Sequence, residues 1–193
     1  MKPAVIAVLL LCFAPAISRS QTDRPQRGFF LQAKIRHDFS SATGMIGGLH
    51  LDDTHGIEAE LMYGEPADAA FGGGIGYQFP REMGHSQQGE IAFLPVYLRV
   101  QKTLLRITGF SLYAGVRLGC NMVFLDGGYR KIYTPEGGPC FGILFGCLVR
   151  DEILIEGSVT SLSGNLRRKD GDSYNDEDIG VPQLSLGVGF LFD

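Results

Sequence analysis

The C-terminal stretch 181–193 reads VPQLSLGVGFLFD, and it alternates. Leu184, Leu186, Val188, Phe190 and Phe192 hold one parity; Gln183, Ser185, Gly187 and Gly189 hold the other. A strand sends successive side chains to opposite faces, so one face is large and apolar and the other small or polar. A water-soluble sheet would bury the apolar face on a core. Here the same alternation recurs in most segments, and few segments show the helical period that would supply a cover. Lipid is the simplest cover. The pattern predicts an all-β chain that closes on itself as a transmembrane β-barrel.

The start of the chain fits export. Lys2 opens a short basic region, and residues 4–16 form an apolar run too short to span a bilayer as a helix. Small residues at Ala16, Ser18 and Ser20 offer cleavage sites. Residues 1–20 therefore read as a signal peptide, 21–27 as a short linker and 28–193 as the barrel. Leu11 before Cys12 argues against a lipoprotein site. The export route and the β-rich remainder point to the outer membrane of a Gram-negative envelope.

Composition agrees. Glycine is abundant, with 27 residues in 193, which disfavours helix and suits close-packed strands. Mean hydropathy is only +0.08, as expected where strands alternate. A net charge of −4 gives no basis for binding nucleic acid. Cys12 leaves with the leader, and Cys120, Cys140 and Cys147 remain. Cys120 and Cys147 fall on the lipid parity and Cys140 on the lumen parity. No Cys or His spacing suggests a metal site, and nothing implies a cofactor.

Eight strands are predicted: 28–39, 56–63, 70–79, 90–101, 110–124, 140–149, 153–161 and the C-terminal segment. Pro95 marks an irregularity in the fourth. Connectors 64–69, 102–109 and 150–152 are short; 40–55, 80–89, 125–139 and 162–180 are longer. That asymmetry matches short periplasmic turns and longer external loops, with both termini in the periplasm. Residues 44–52 alternate weakly, which leaves ten strands as an alternative. Phe29, Tyr63, Phe71, Phe110, Phe190 and Phe192 should form a belt at the periplasmic edge. Phe39, Tyr77, Phe79, Phe124 and Phe141 should form one at the external edge.

FGGGIGYQF at 71–79, FLPVYLRV at 93–100, FSLYAGVRLG at 110–119 and LSLGVGFLF at 184–192 resemble small outer-membrane β-barrels of the OmpA-like, porin-family kind. The resemblance implies an eight-stranded antiparallel up-and-down barrel but no particular activity. It also implies a final strand ending in an aromatic that the barrel-assembly machinery recognises. Phe190 and Phe192 would carry that signal, with Asp193 as a departure after them.

Inward positions collect Lys34, Arg36, Glu58, Glu60, Arg99, Arg117 and Glu156. Eight strands enclose only enough room for side chains, so these charges must pair. An interior salt-bridged plug is the expected arrangement, with a narrow pore as the alternative. An enzyme acting on lipid A or phospholipid would need a nucleophile and base at the external edge; His50, His55, His85 and Ser86 are its only candidates, all expected in loops. His37 points outward on the first strand. Loop 162–180 carries Arg167, Arg168 and Lys169, which could meet lipopolysaccharide phosphates, and an acidic half without the ligand spacing of a calcium loop. The reading is thus a monomeric structural or surface-interaction barrel whose partners are outer-membrane lipid and lipopolysaccharide. A soluble, lipocalin-like ligand binder is the remaining alternative, and it requires the apolar faces to point inward.

Overall fold

The computed structural model describes residues 27–39, 51–66, 68–82, 89–170 and 173–192, with 129, 168–170 and 173–177 described by backbone alone. Residues 1–26, which hold the expected signal peptide and most of the expected linker, lie outside the described residues, as do residues 40–50 with His50, and His85 and Ser86. Eight strands form: β1 Gly28–Phe39, β2 Thr54–Gly64, β3 Ala69–Glu82, β4 Gly89–Ile107, β5 Phe110–Gly127, β6 Tyr133–Val149, β7 Ile153–Asp170 and β8 Ser173–Phe192. One short helix, α1 Tyr129–Ile132, follows β5. Each strand pairs antiparallel with the next, and β8 pairs with β1 to close the barrel. Among the described residues the closed barrel has eight strands rather than ten.

The register can be followed round the barrel. Phe29 pairs with Tyr63, Tyr63 with Phe71, Phe71 with Val100, Val100 with Val116, Val116 with Ile143, Ile143 with Val159, Val159 with Leu184, and Leu184 with Phe39. The circuit leaves β1 at Phe29 and returns at Phe39, a stagger of ten residues. With eight strands that stagger tilts the strands by roughly 40–45° and keeps the lumen side-chain-wide. Every residue on the circuit is apolar, and all nine point outward and are exposed. Among the described residues nothing covers this surface. The apolar faces do not point inward, so the lipocalin-like alternative is excluded.

Aromatics meet where the belts were expected. Phe29 and Tyr63 rings lie 5.0 Å apart, Tyr63 and Phe71 5.7 Å, and Tyr77 and Phe79 5.6 Å. Cys120 is exposed, Cys140 is buried in the lumen, and Cys147 is half-buried.

Three connectors differ from expectation. The 102–109 turn shortens to Thr108 and Gly109, because β4 continues to Ile107 past a bulge between Thr103 and Leu105. Residues 125–139 are mostly strand and helix. The 162–180 loop is instead the paired ends of β7 and β8, in register from Leu162 with Val181 to Asp170 with Ser173. β7 and β8 run 18 and 20 residues, about twice the 9–11 that a tilted strand needs to cross a bilayer. β1 and β2 have 12 and 11. The surplus lies at the end away from the termini. One wall of the barrel therefore stands well beyond the apolar band, and we refer to that side as the far end.

The lumen is layered. Near the termini an apolar cluster joins Phe30, Met62, Ala70, Tyr113, Leu144, Leu148, Leu154 and Leu191. At the far end another includes Leu51, Ile91, Phe93, Val123, Leu125, Leu162, Leu166, Ile179 and Val181. Polar and charged groups fill the space between.

Candidate functional site

The charged layer is built from inward positions of five strands. Along β1 the lumen side reads Phe30, Gln32, Lys34, Arg36 and Asp38 from the terminal end upward, all buried. Directly across the β1–β2 ladder Lys34 faces Glu58 and Gln32 faces Glu60. Arg99 on β4 faces Arg117 on β5. Like charges in that position repel, and the two guanidinium groups resolve it by turning to different carboxylates.

Lys34 Nζ lies 3.0 Å from Glu58 Oε2, 3.0 Å from Glu60 Oε1 and 2.8 Å from Glu156 Oε1. Arg99 bridges two acids, with Nη1 2.7 Å from Glu60 Oε2 and Nη2 2.7 Å from Glu156 Oε2. Arg117 Nη1 donates to Glu58 Oε1 at 2.7 Å and Nη2 to the Ser158 hydroxyl at 2.6 Å. Arg36 also donates to Glu58 and sits 3.1 Å from Asp38 Oδ1. Four cations thus meet four anions, Asp38, Glu58, Glu60 and Glu156, and the layer is neutral. The geometry brings all seven sequence-identified charges into one network.

Two tyrosines complete it, and sequence reasoning gave them no role. Tyr97 donates to Glu60 Oε1 at 2.7 Å and Tyr113 to Glu156 Oε2 at 2.9 Å. Their rings also serve as platforms: the Arg117 guanidinium carbon lies 5.3 Å from the Tyr97 centroid and that of Arg99 5.6 Å from Tyr113. Gln101 accepts from Arg99 at 2.6 Å. The signal for these residues was their inward parity; only formal charge had been selected from it. Above the belt, Gln78 donates to Asp38 Oδ2 at 2.6 Å and to Gln183 at 2.5 Å, and Arg81 donates to Gln78 at 3.1 Å.

Glycines make room for the belt. A Cβ on Gly74 would meet Glu60 Cγ at 2.7 Å and the Tyr97 ring at 2.8 Å. One on Gly142 would meet the Arg117 side chain at 2.8 Å, and one on Gly189 would meet Lys34 Cγ at 2.7 Å. Glu60, Arg117 and Lys34 thus each lie across a glycine of a neighbouring strand. That explains part of the glycine richness, and ties composition to the lumen rather than to turns.

The belt is sealed. Glu60 is 0 % exposed, Arg99 1 %, Arg117 2 % and Lys34 4 %, so water reaches these groups from neither mouth. Taking an ion out of water costs several kcal/mol. Carboxylate–guanidinium contacts at these distances, with every acid held by two or more donors, offset that cost. The arrangement can hold the strands in one register. No acid or base in it is presented to a substrate.

The histidines fall elsewhere. His55 lies in β2 rather than a loop, and it faces His37 on the outside of β1. Among the described residues no helix is long and apolar enough to cross a membrane.

A closed barrel with this lumen and this exposed surface has solved counterparts. The structure is similar to the outer membrane protein OprG from Pseudomonas aeruginosa, with TM-score 0.56 and 14% identity over 88% of this chain and 96% of that one. Neisserial surface protein A matches with TM-score 0.55 and 14% identity over 84% and 96%, and Escherichia coli outer membrane protein W with 0.53 and 15% over 88% and 100%. The chain has the fold of a small outer-membrane β-barrel. At these identities the likeness is one of architecture. No protein-family profile and no curated sequence matches the chain. The exposed apolar surface and the closed eight-stranded sheet are those of the small outer-membrane barrel fold, which accounts for the whole described chain.

Proposed function

We propose that this barrel is a non-conducting structural and surface-interaction protein of the outer membrane, with its termini in the periplasm and its far end outside. The observation that carries the reading is the buried belt between two apolar layers. A pore would leave its charged lining wet; here Glu60 and Arg99 are out of reach of water. The tall wall of β4–β8 then has a use, because it lifts paired strands beyond the lipid without opening the lumen. Inside that wall the apolar cluster of Phe93, Leu125, Leu162 and Val181 supplies a core, so the projection is a rigid surface rather than a set of free loops.

The partners are outer-membrane lipid and lipopolysaccharide around the band, and the barrel-assembly machinery during insertion. Phe190 stays outward and exposed near the end of β8, which suits recognition of that strand before closure. The protein acts as a monomer, needs no cofactor and does not bind nucleic acid. Planar-bilayer recording on detergent-extracted protein tests the reading. The expected result is no stable current steps in folded protein; ohmic channels that disappear on boiling would overturn it.

A further inference from the structure

The outer face of β1 and β2 is apolar except at one place. His37 and His55 are register partners across the ladder, both on the outward parity, His55 exposed and His37 half-buried. Their Nδ1 atoms are 3.4 Å apart. That is long for a hydrogen bond from N–H, whose usual range is roughly 2.7–3.2 Å. It is the spacing of two nitrogens on one tetrahedral ion: bonds of about 2.0–2.1 Å to zinc place the nitrogens about 3.3–3.4 Å apart.

Two neighbours favour the same use. Asp53 Oδ2 lies 3.6 Å from His37 Nε2, the ring nitrogen turned away from His55. That is beyond direct hydrogen-bond range, but it sets a negative charge beside the imidazole pair, which favours a bound cation. The Phe39 ring packs edge-on against His37 with centroids 4.5 Å apart, which restricts the imidazole to this orientation.

We propose that His37 and His55 form a surface site for a borderline divalent transition-metal ion of the zinc class, with the Asp53 carboxylate adding negative charge beside it. Among the described residues no three His, Cys, Asp or Glu side chains converge as a closed cage. The ion therefore keeps positions for water or for lipid phosphate oxygens. It sits on the outer face near the far end of β1, where the apolar band gives way to polar surface, and it clips β1 to β2.

The test uses zinc chloride and untagged protein extracted from membranes in detergent, in a buffer without phosphate. Isothermal titration should give one zinc per chain. His37→Gln and His55→Gln should each weaken binding at least tenfold, while His50→Gln and His85→Gln leave it unchanged. Both target side chains reach the surface, and a heat-modifiability gel will verify that each variant is folded. Zinc should also raise the unfolding midpoint of the parent protein and not of the His37→Gln/His55→Gln double variant. Absence of saturable binding, or equal affinity in the double variant, overturns the proposal.

Discussion

Removing Arg99 is the sharpest probe of the lumen belt. Its guanidinium is the link between Glu60 and Glu156, at 2.7 Å to each, and its side chain is wholly buried. Arg99→Met keeps much of the volume but turns a belt of four cations and four anions into one of three and four. Glu156 retains Lys34 at 2.8 Å and Tyr113, and Glu60 retains Lys34 at 3.0 Å and Tyr97, so neither acid is stripped bare. Unit charges about 4 Å apart attract by about 4 kcal/mol at the effective dielectric of a protein, and removing one partner of a buried pair typically costs about 3–5 kcal/mol. We expect a loss of about 3 kcal/mol, since the remaining donors recover part. Adding Glu60→Gln restores neutrality. The double variant should therefore be at least about 1 kcal/mol more stable than the sum of the two single changes. The chain has no tryptophan, so urea unfolding in lipid vesicles is read by far-ultraviolet circular dichroism and the unboiled gel shift. A cost below about 0.5 kcal/mol for Arg99→Met, or strict additivity with Glu60→Gln, would show that the belt does not act as a unit.

Other consequences are as direct. Leu98 is 72 % exposed at mid-band; Leu98→Arg should cost about 2–4 kcal/mol if lipid is its neighbour, measured by the same unfolding assay. The tight turn Val149–Glu152 holds Arg150 and Asp151 at φ of 54° and 58°, where a side chain strains the backbone; Arg150→Asn with Asp151→Gly should stabilise by about 1 kcal/mol. A Cβ on Gly119 would run into the Val96 carbonyl and the Tyr97 backbone, so Gly119→Val should abolish the folded band on gels. Phe190→Ala with Phe192→Ala should lower the amount of barrel in outer-membrane fractions without altering the unfolding midpoint of what does assemble; unchanged levels would remove the assembly role from that strand.

Within the band the sequence was readable because lipid and lumen impose opposite demands on alternate residues. Lys34, Glu58, Arg117 and Glu156 could be placed inside by parity alone, as could Cys140. The partners of each charge were not readable. Which carboxylate meets Arg99 depends on the ten-residue stagger of the closed sheet, and that number is a property of all eight ladders together. Tyr97 and Tyr113 were overlooked for a related reason, since a phenol on the inner parity becomes a donor only when a carboxylate stands across the lumen from it.

The 162–180 segment failed differently, and the failure locates the edge of the membrane. Along β7, Val159 points outward while Ser158 and Thr160 face the lumen. Three residues later Leu162 and Leu166 are the buried ones, and Ser161, Ser163, Asn165 and Arg167 face out, with Arg167 3.3 Å from Glu136. β8 inverts in the same way: Leu184, Leu186 and Val188 lie outside, but Ile179 and Val181 lie inside. Parity is continuous, so it is the surroundings that change. Below Leu162 the sheet borders hydrocarbon and keeps its polar groups within; above it the sheet borders water and needs an apolar core like any soluble barrel. A search for strands with greasy outer faces stops at that inversion and reads the rest as loop. Single cysteines at Asn165 and at Val159, in a chain whose own three cysteines are replaced by alanine, put this to the test. A membrane-impermeant maleimide should label the first in intact cells and leave the second untouched, and equal labelling of both would place the water boundary lower than the inversion requires.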